Sequence, residues 1–114
     1  MAKHAIDGLD SMRRAGVKIG FGTDLLGTTY TQQCREFTLR SQVFSPIEIL
    51  RQATSISADL MMMAGQIGCI APGAWADLLV VHGDPLKDIS ILAANGRHLR
   101  MIVHEGIVVK DELP

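Results

Sequence analysis

Gly22-Thr23-Asp24 closes a stretch in which Val17, Ile19 and Phe21 alternate with Lys18, Gly20 and Gly22. That is the period-2 pattern of a β-strand. By parity Asp24 falls on the face of Gly20 and Gly22, so its carboxylate projects where the backbone carries no side chain. The C-terminal tip of a buried strand, with small residues beneath it, is where α/β barrels place catalytic groups. A competing reading has Asp24 merely capping the loop that follows. One carboxylate is not an active site, and the chain offers no second catalytic group at a matching position.

The elements that would hold Asp24 are legible around it. Ala5, Ile6, Leu9, Met12 and Ala15 recur at helical spacing, with Arg13 and Arg14 near the end and Gly16 as a stop. The strand over residues 17–22 follows at once, and Leu25–Thr29 reads as a loop. Thr31–Gln42 reads as a helix with Cys34 and Phe37 inward. Ser45, Pro46 and Glu48 form a helix start, with a cap, a proline at the first position and the acid of a capping box. That helix carries Ile47, Leu50 and Ala53 on one face, Thr54 and Ser55 interrupt it, and Ser57 caps a short second helix ending at Gly65. The Met61-Met62-Met63 run reads as core packing rather than a soft-metal surface.

Beyond Gly65 the pattern turns to β. Ala76–Val81 is an apolar strand, Gly83-Asp84-Pro85 a turn, and Asp88–Ala94 a short connection. Leu99, Met101 and Val103 alternate with their neighbours, and Glu105-Gly106 turns the chain into Ile107-Val108-Val109, a predicted hairpin. Trp75 is expected at the edge of this β-layer. Two segments result, an α-rich one over residues 1–64 and a β-rich one over 65–114.

Composition narrows the classes of function. Hydrophobic residues make up 47% of the 114 and charged ones 20%, so the chain should fold. A net charge of −1 and a pI near 6.4 argue against nucleic acid or an anionic membrane as partner. Aromatics are only 4%, which leaves few anchors of the kind favoured at transient interfaces. Cys34 and Cys69 match no metal-ligand spacing. They read as buried free thiols of a reducing, cytoplasmic environment, against a disulfide or a reactive thiol as the other readings. The opening Met1-Ala2-Lys3-His4 carries no signal segment, and no apolar run reaches membrane-spanning length.

Taken in order, these segments resemble the C-terminal end of the amidohydrolase superfamily, in particular its imidazolonepropionase-like and prolidase-like members. Gly16–Asp24 looks like the eighth strand of a (β/α)8 barrel of the TIM type with its terminal aspartate, and Ser45-Pro46 through Ala64-Gly65 like the helical pair after it. Gly68-Cys69-Ile70-Ala71-Pro72-Gly73 resembles the family's Gly-x-Ile-x-x-Gly turn, and Ala74–Val81 the strand that re-enters the small β-sandwich flanking the barrel. Gly83–Ile89 and Val103–Val109 fit the same pattern. The fold class the resemblance implies is α/β, a barrel's last αβ unit over residues 1–64 with part of the sandwich over 65–114.

The resemblance also implies an activity. Members hydrolyse C–N bonds of amides, cyclic amides or peptide-like substrates through a hydroxide on a divalent metal, commonly zinc. Asp24, if it matches the strand-eight aspartate, would be both metal contact and proton shuttle. The sequence departs from the family in lacking a His-x-His strand and anything corresponding to strands one to seven. Its histidines, His4, His82, His98 and His104, sit where surface or structural roles are expected. The isolated chain is therefore expected to be inactive, with a divalent metal expected in the full-length family and a metal-free state open to this chain. Its severed edges should drive self-association or association with a complementary N-terminal barrel fragment. The alternative function is a non-catalytic oligomerisation or interaction module derived from such an enzyme.

Overall fold

A computed structural model describes residues 2–114. The element order is helical first and β afterwards. Helix α1 spans Ala2–Arg14, a 3-10 turn Gly27–Gln32, α2 Arg35–Arg40 and α3 Pro46–Arg51. A π-turn over Gln52–Ile56 joins α3 to α4, Ser57–Leu60. Strand β1 (Leu78–Val81) is followed by a 3-10 turn (Ile89–Ala93), β2 (Leu99–His104) and β3 (Ile107–Asp111). The three strands form one antiparallel sheet in the order β1-β2-β3.

Helix α1 ends as its sequence predicts. The Gly16 N–H reaches the Arg13 carbonyl at 3.0 Å and the Val17 N–H the Met12 carbonyl at 3.1 Å, which satisfies carbonyls that a helix end leaves open. At the start of α3 the Glu48 carboxylate accepts from both the Ser45 N–H and the Ser45 hydroxyl at 2.8 Å. The hairpin is also as predicted: His104 pairs with Ile107 across a two-residue loop. Glu105 and Gly106 have φ of 50° and 79°, the left-handed pair required for a turn that matches strand twist. Asp77 Oδ1 accepts from the Glu105 N–H at 2.8 Å, tying the approach to β1 to the hairpin loop.

Several expectations change. Ser57 caps no helix, since its Oγ donates to the Gln52 carbonyl, and α4 ends at Leu60 rather than running on to Gly65. The predicted helix over Thr31–Gln42 is split between the 3-10 turn and the shorter α2. Met61 and Met62 are exposed rather than packed, because Met62 has a left-handed φ of 58° and the chain leaves α4 there. Residues 17–22 make no strand ladder. The alternation is present, but a ladder needs a neighbour, and none of the described strands lies beside it.

The core is small and is shared by both halves of the chain. Phe44, Ile49 and Ile89 are buried together, with Leu9, Ile19, Phe21, Phe37, Val43, Leu50 and Leu92 against them. Helix α2 packs on the 3-10 turn Ile89–Ala93, which is how the C-terminal half reaches the helical one. Burying an aliphatic side chain of this size contributes about 1.5–3 kcal/mol, so Ile49, with no exposed surface, is a principal anchor.

Three carboxylates are held below their ordinary range. The Ser45 N–H and then its hydroxyl lower Glu48, the Arg14 and Arg13 guanidinium groups lower Asp10, and the Ser90 hydroxyl and N–H lower Asp88. The unfolded chain, with ordinary values of 4.5 for Glu and 3.8 for Asp, takes up these protons first. Their stabilisation is therefore fully present above about pH 5 and lost as pH falls through and below those values. Urea midpoints measured along a pH series are expected to hold level on their account down to about pH 5 and then decline. A midpoint that rises on acidification below that point would contradict the assignment.

Candidate functional site

The segment carrying Asp24 follows α1 in the chain and is held against α4 by a few specific contacts. The Phe21 N–H donates to Ser57 Oγ at 3.1 Å, and Ser57 Oγ donates to the Gln52 carbonyl at 2.6 Å. That carbonyl lies where the π-turn begins, and such turns leave backbone groups free for side chains to satisfy. Gly20 approaches the same helix so closely that a Cβ would stand 2.9 Å from Leu60 Cδ1 and 3.2 Å from Ser57 Oγ. Lys18 forms an ion pair with Asp59 of α4.

The Phe21 ring is fixed as firmly as its backbone. It lies 4.7 Å from the Phe37 ring, centroid to centroid, and the Arg40 guanidinium sits 4.8 Å from its centroid. Arg40 is only 4% exposed. Its charge is met by Glu36, whose Oε1 accepts from Nε at 2.7 Å, and by Gln52, whose Oε1 accepts from Nη1 at 2.7 Å. A buried guanidinium with both partners in place is tolerable, and without them it is costly.

Asp24 itself is exposed, with a left-handed φ of 51°. Aspartate is among the few non-glycine residues that adopt this region readily. Among the described residues its carboxylate takes part in no hydrogen bond or ion pair. The three residues before it, Phe21, Gly22 and Thr23, line a cleft of about 320 Å³ together with Gln33, Cys34 and Phe37. The structure thus presents the predicted site residue one position beyond Thr23, the last residue of its segment to line that cleft, on a backbone anchored three residues earlier.

The other candidates are placed elsewhere. His82 and His104 are exposed and belong to the β half, where the His82 N–H donates to the His98 carbonyl at 2.7 Å. His104 Nδ1 is 3.3 Å from Asp77, and His4 lies exposed on α1. Cys34 and Cys69 are free thiols, half-buried rather than fully buried as expected. No helix among the described residues is long and apolar enough to cross a membrane. Sequence reasoning missed Ser57 and Arg40 as parts of the site's support and Cys34 as part of the cleft. The partners of Ser57 and Arg40 lie 4 to 36 residues away, with no local motif to mark them.

Comparison with known proteins agrees with the segment order. The sequence profile of the amidohydrolase family matches residues 1–108. A crystal structure of an amidohydrolase superposes with a TM-score of 0.92 at 42% identity, covering 96% of this chain and 26% of that one. A prolidase crystallised with N-methylphosphonate-L-proline gives a TM-score of 0.88 at 42% identity, covering 93% of this chain and 26% of that one. A 5-methylthioadenosine/S-adenosylhomocysteine deaminase of Symbiobacterium thermophilum is 31% identical, over 88% of this chain and 28% of its own length. The chain thus spans little more than a quarter of the length of these relatives.

The family generally uses a divalent metal, and the donor set here does not suffice for one. A catalytic zinc takes about three convergent protein ligands. Among the described residues no three His, Cys, Asp or Glu side chains come together in that way, Asp24 included.

Proposed function

The chain belongs to the amidohydrolase family, and from that premise we propose that it forms the closing part of a hydrolase acting on C–N bonds of amide, cyclic amide or peptide-like substrates. Residues 1–64 supply a barrel's last strand and helices, residues 65–114 part of the companion β-sandwich, and Asp24 the single group this chain brings to the reacting centre. The observation that carries the reading is the Gly20–Asp24 segment. It makes no strand ladder among the described residues, is anchored at Phe21, lines a cleft through Phe21, Gly22 and Thr23, and ends one residue later in an exposed carboxylate. Relatives named as a prolidase and a deaminase, both of which break C–N bonds, support the class of reaction. The remaining catalytic groups, and any zinc ligands beyond Asp24, would come from outside these 114 residues. Two cysteines left as free thiols suit a reducing, cytoplasmic setting.

A second reading has its own observation. Ile107, Val108 and Val109 of the edge strand β3 are all exposed, as are Leu79 and Val80 of β1 at the other edge. Apolar, unpaired edges favour association, which suits a non-catalytic oligomerisation module. Mixing the purified chain with a complementary N-terminal barrel fragment separates the two. The first reading expects a stoichiometric complex that gains metal and cleaves a dipeptide or cyclic amide, while the chain alone holds substoichiometric zinc and sediments as an oligomer. A stable homo-oligomer that ignores the fragment would favour the second reading, and a well-behaved monomer with no affinity for the fragment would defeat both.

A further inference from the structure

We propose that Ser57 is a positioning residue for Asp24: seated just after the π-turn, it anchors the Phe21 amide and so fixes the backbone from which Asp24 projects. The inference rests on the reading of Asp24 as the chain's chemical group and adds how that group is held. The Phe21 N–H is a half-buried donor that needs an acceptor. Ser57 Oγ supplies the acceptor at 3.1 Å and passes its own proton to the Gln52 carbonyl at 2.6 Å. The hydroxyl thus donates once and accepts once, and its orientation is fixed by both bonds.

The seat of that hydroxyl is itself braced. Gln52, whose carbonyl orients Ser57, is buried and accepts from Arg40 through its side chain, and Arg40 lies over the Phe21 ring. On the far side Gly68 packs against the π-turn so tightly that a Cβ would lie 2.5 Å from the Thr54 carbonyl oxygen. Backbone and ring of Phe21 are thereby referred to one rigid turn. Three residues on, Asp24 takes its left-handed φ, one of several conformations open to an aspartate, and the anchored backbone before it selects among them.

Amide hydrogen exchange and NMR chemical shifts of the full chain test this without requiring activity. Ser57→Ala is expected to speed exchange at the Phe21 amide roughly fivefold to tenfold. It should also move the Asp24 Cα and Cβ resonances away from left-handed values, while Ile102 and Val103 in β2 stay unchanged. Ser57→Thr, which keeps the hydroxyl, should restore both. If Ser57→Ala fails to fold, Gly20→Ala serves instead, since its new Cβ would stand 3.2 Å from Ser57 Oγ, and 2.9 Å from the flexible end of Leu60, with the serine intact. It should shift the same Asp24 resonances. Unchanged Phe21 exchange and Asp24 shifts in the serine or glycine variant, or a threonine variant that behaves like alanine, would overturn the proposal. Failure of Asp24→Asn to affect a reconstituted activity would instead overturn the functional reading and leave these resonances as they are.

Discussion

Asp24→Asn is expected to lower the turnover of the reconstituted hydrolase by about 10²–10⁴-fold, the range of a positioned acid–base group, with little effect on folding. The substitution is close to isosteric, and asparagine adopts the left-handed region as readily as aspartate, so the φ of 51° at this position is kept. Asp24 is exposed, and no ion pair depends on it among the described residues. Its urea midpoint should therefore correspond to a change within about 0.5 kcal/mol of the parent. Asp24→Ala is a poorer probe, because it adds backbone strain to the loss of the carboxylate. Steady-state kinetics beside urea titration decide the matter. Retained turnover in Asp24→Asn would remove this carboxylate from the chemistry, whereas loss of both turnover and stability would make it a structural cap of its loop.

What could be read from the sequence follows a physical division between local and distant partners. The end of α1 at Gly16, the proline and acid that start α3 and the Glu105-Gly106 hairpin all close their hydrogen bonds within five residues. Residue types within a short window specify them. Residues 17–22 show the opposite case. Their alternation was visible, but a strand is completed only by its neighbour, and none of the described strands pairs with it. Thr54 and Ser55 signalled an interruption after α3. That it would be a π-turn, with Ser57 bridging Gln52 and Phe21, depends on a contact across 36 positions. The methionine run failed as a core prediction for a related reason, since apolar character fixes what a side chain prefers and the direction of the chain at Met62 decides what it reaches.

The candidate site was legible to the extent that Asp24 and its bare glycines stood out, and the order of segments carried the family. Nothing in composition or spacing marked Arg40 for burial. Arginine is mostly exposed in proteins unless paired, and its partners Glu36 and Gln52 lie four and twelve residues away. Only the fold makes those distances meaningful. The Glu36 spacing matches a helical i,i+4 pair, a signal too common on solvated helix faces to imply a buried charge.

Glu36→Leu is expected to cost about 3 kcal/mol, more than removal of Arg40 and Glu36 together. With the carboxylate gone, Arg40 keeps only the Gln52 amide at 2.7 Å and remains a buried cation with no counter-charge among its contacts, the arrangement that destabilises most. In the double variant Arg40→Leu, Glu36→Leu the charge goes with its partner and an aliphatic chain can pack against Phe21, so a large part of the loss should return. Arg40→Lys should recover little of what Arg40→Leu loses. An ammonium on a flexible stem does not present the fork that meets Glu36 through Nε and Gln52 through Nη1 together. Urea titration of the parent, both single variants and the double variant gives the coupling directly. Additive losses would show that the guanidinium is solvated in solution and that Phe21 is held by Ser57 and Phe37 alone. A strongly non-additive cycle would show that the charge beneath Phe21 is neutralised as a unit, and with it the floor on which the Asp24 segment rests.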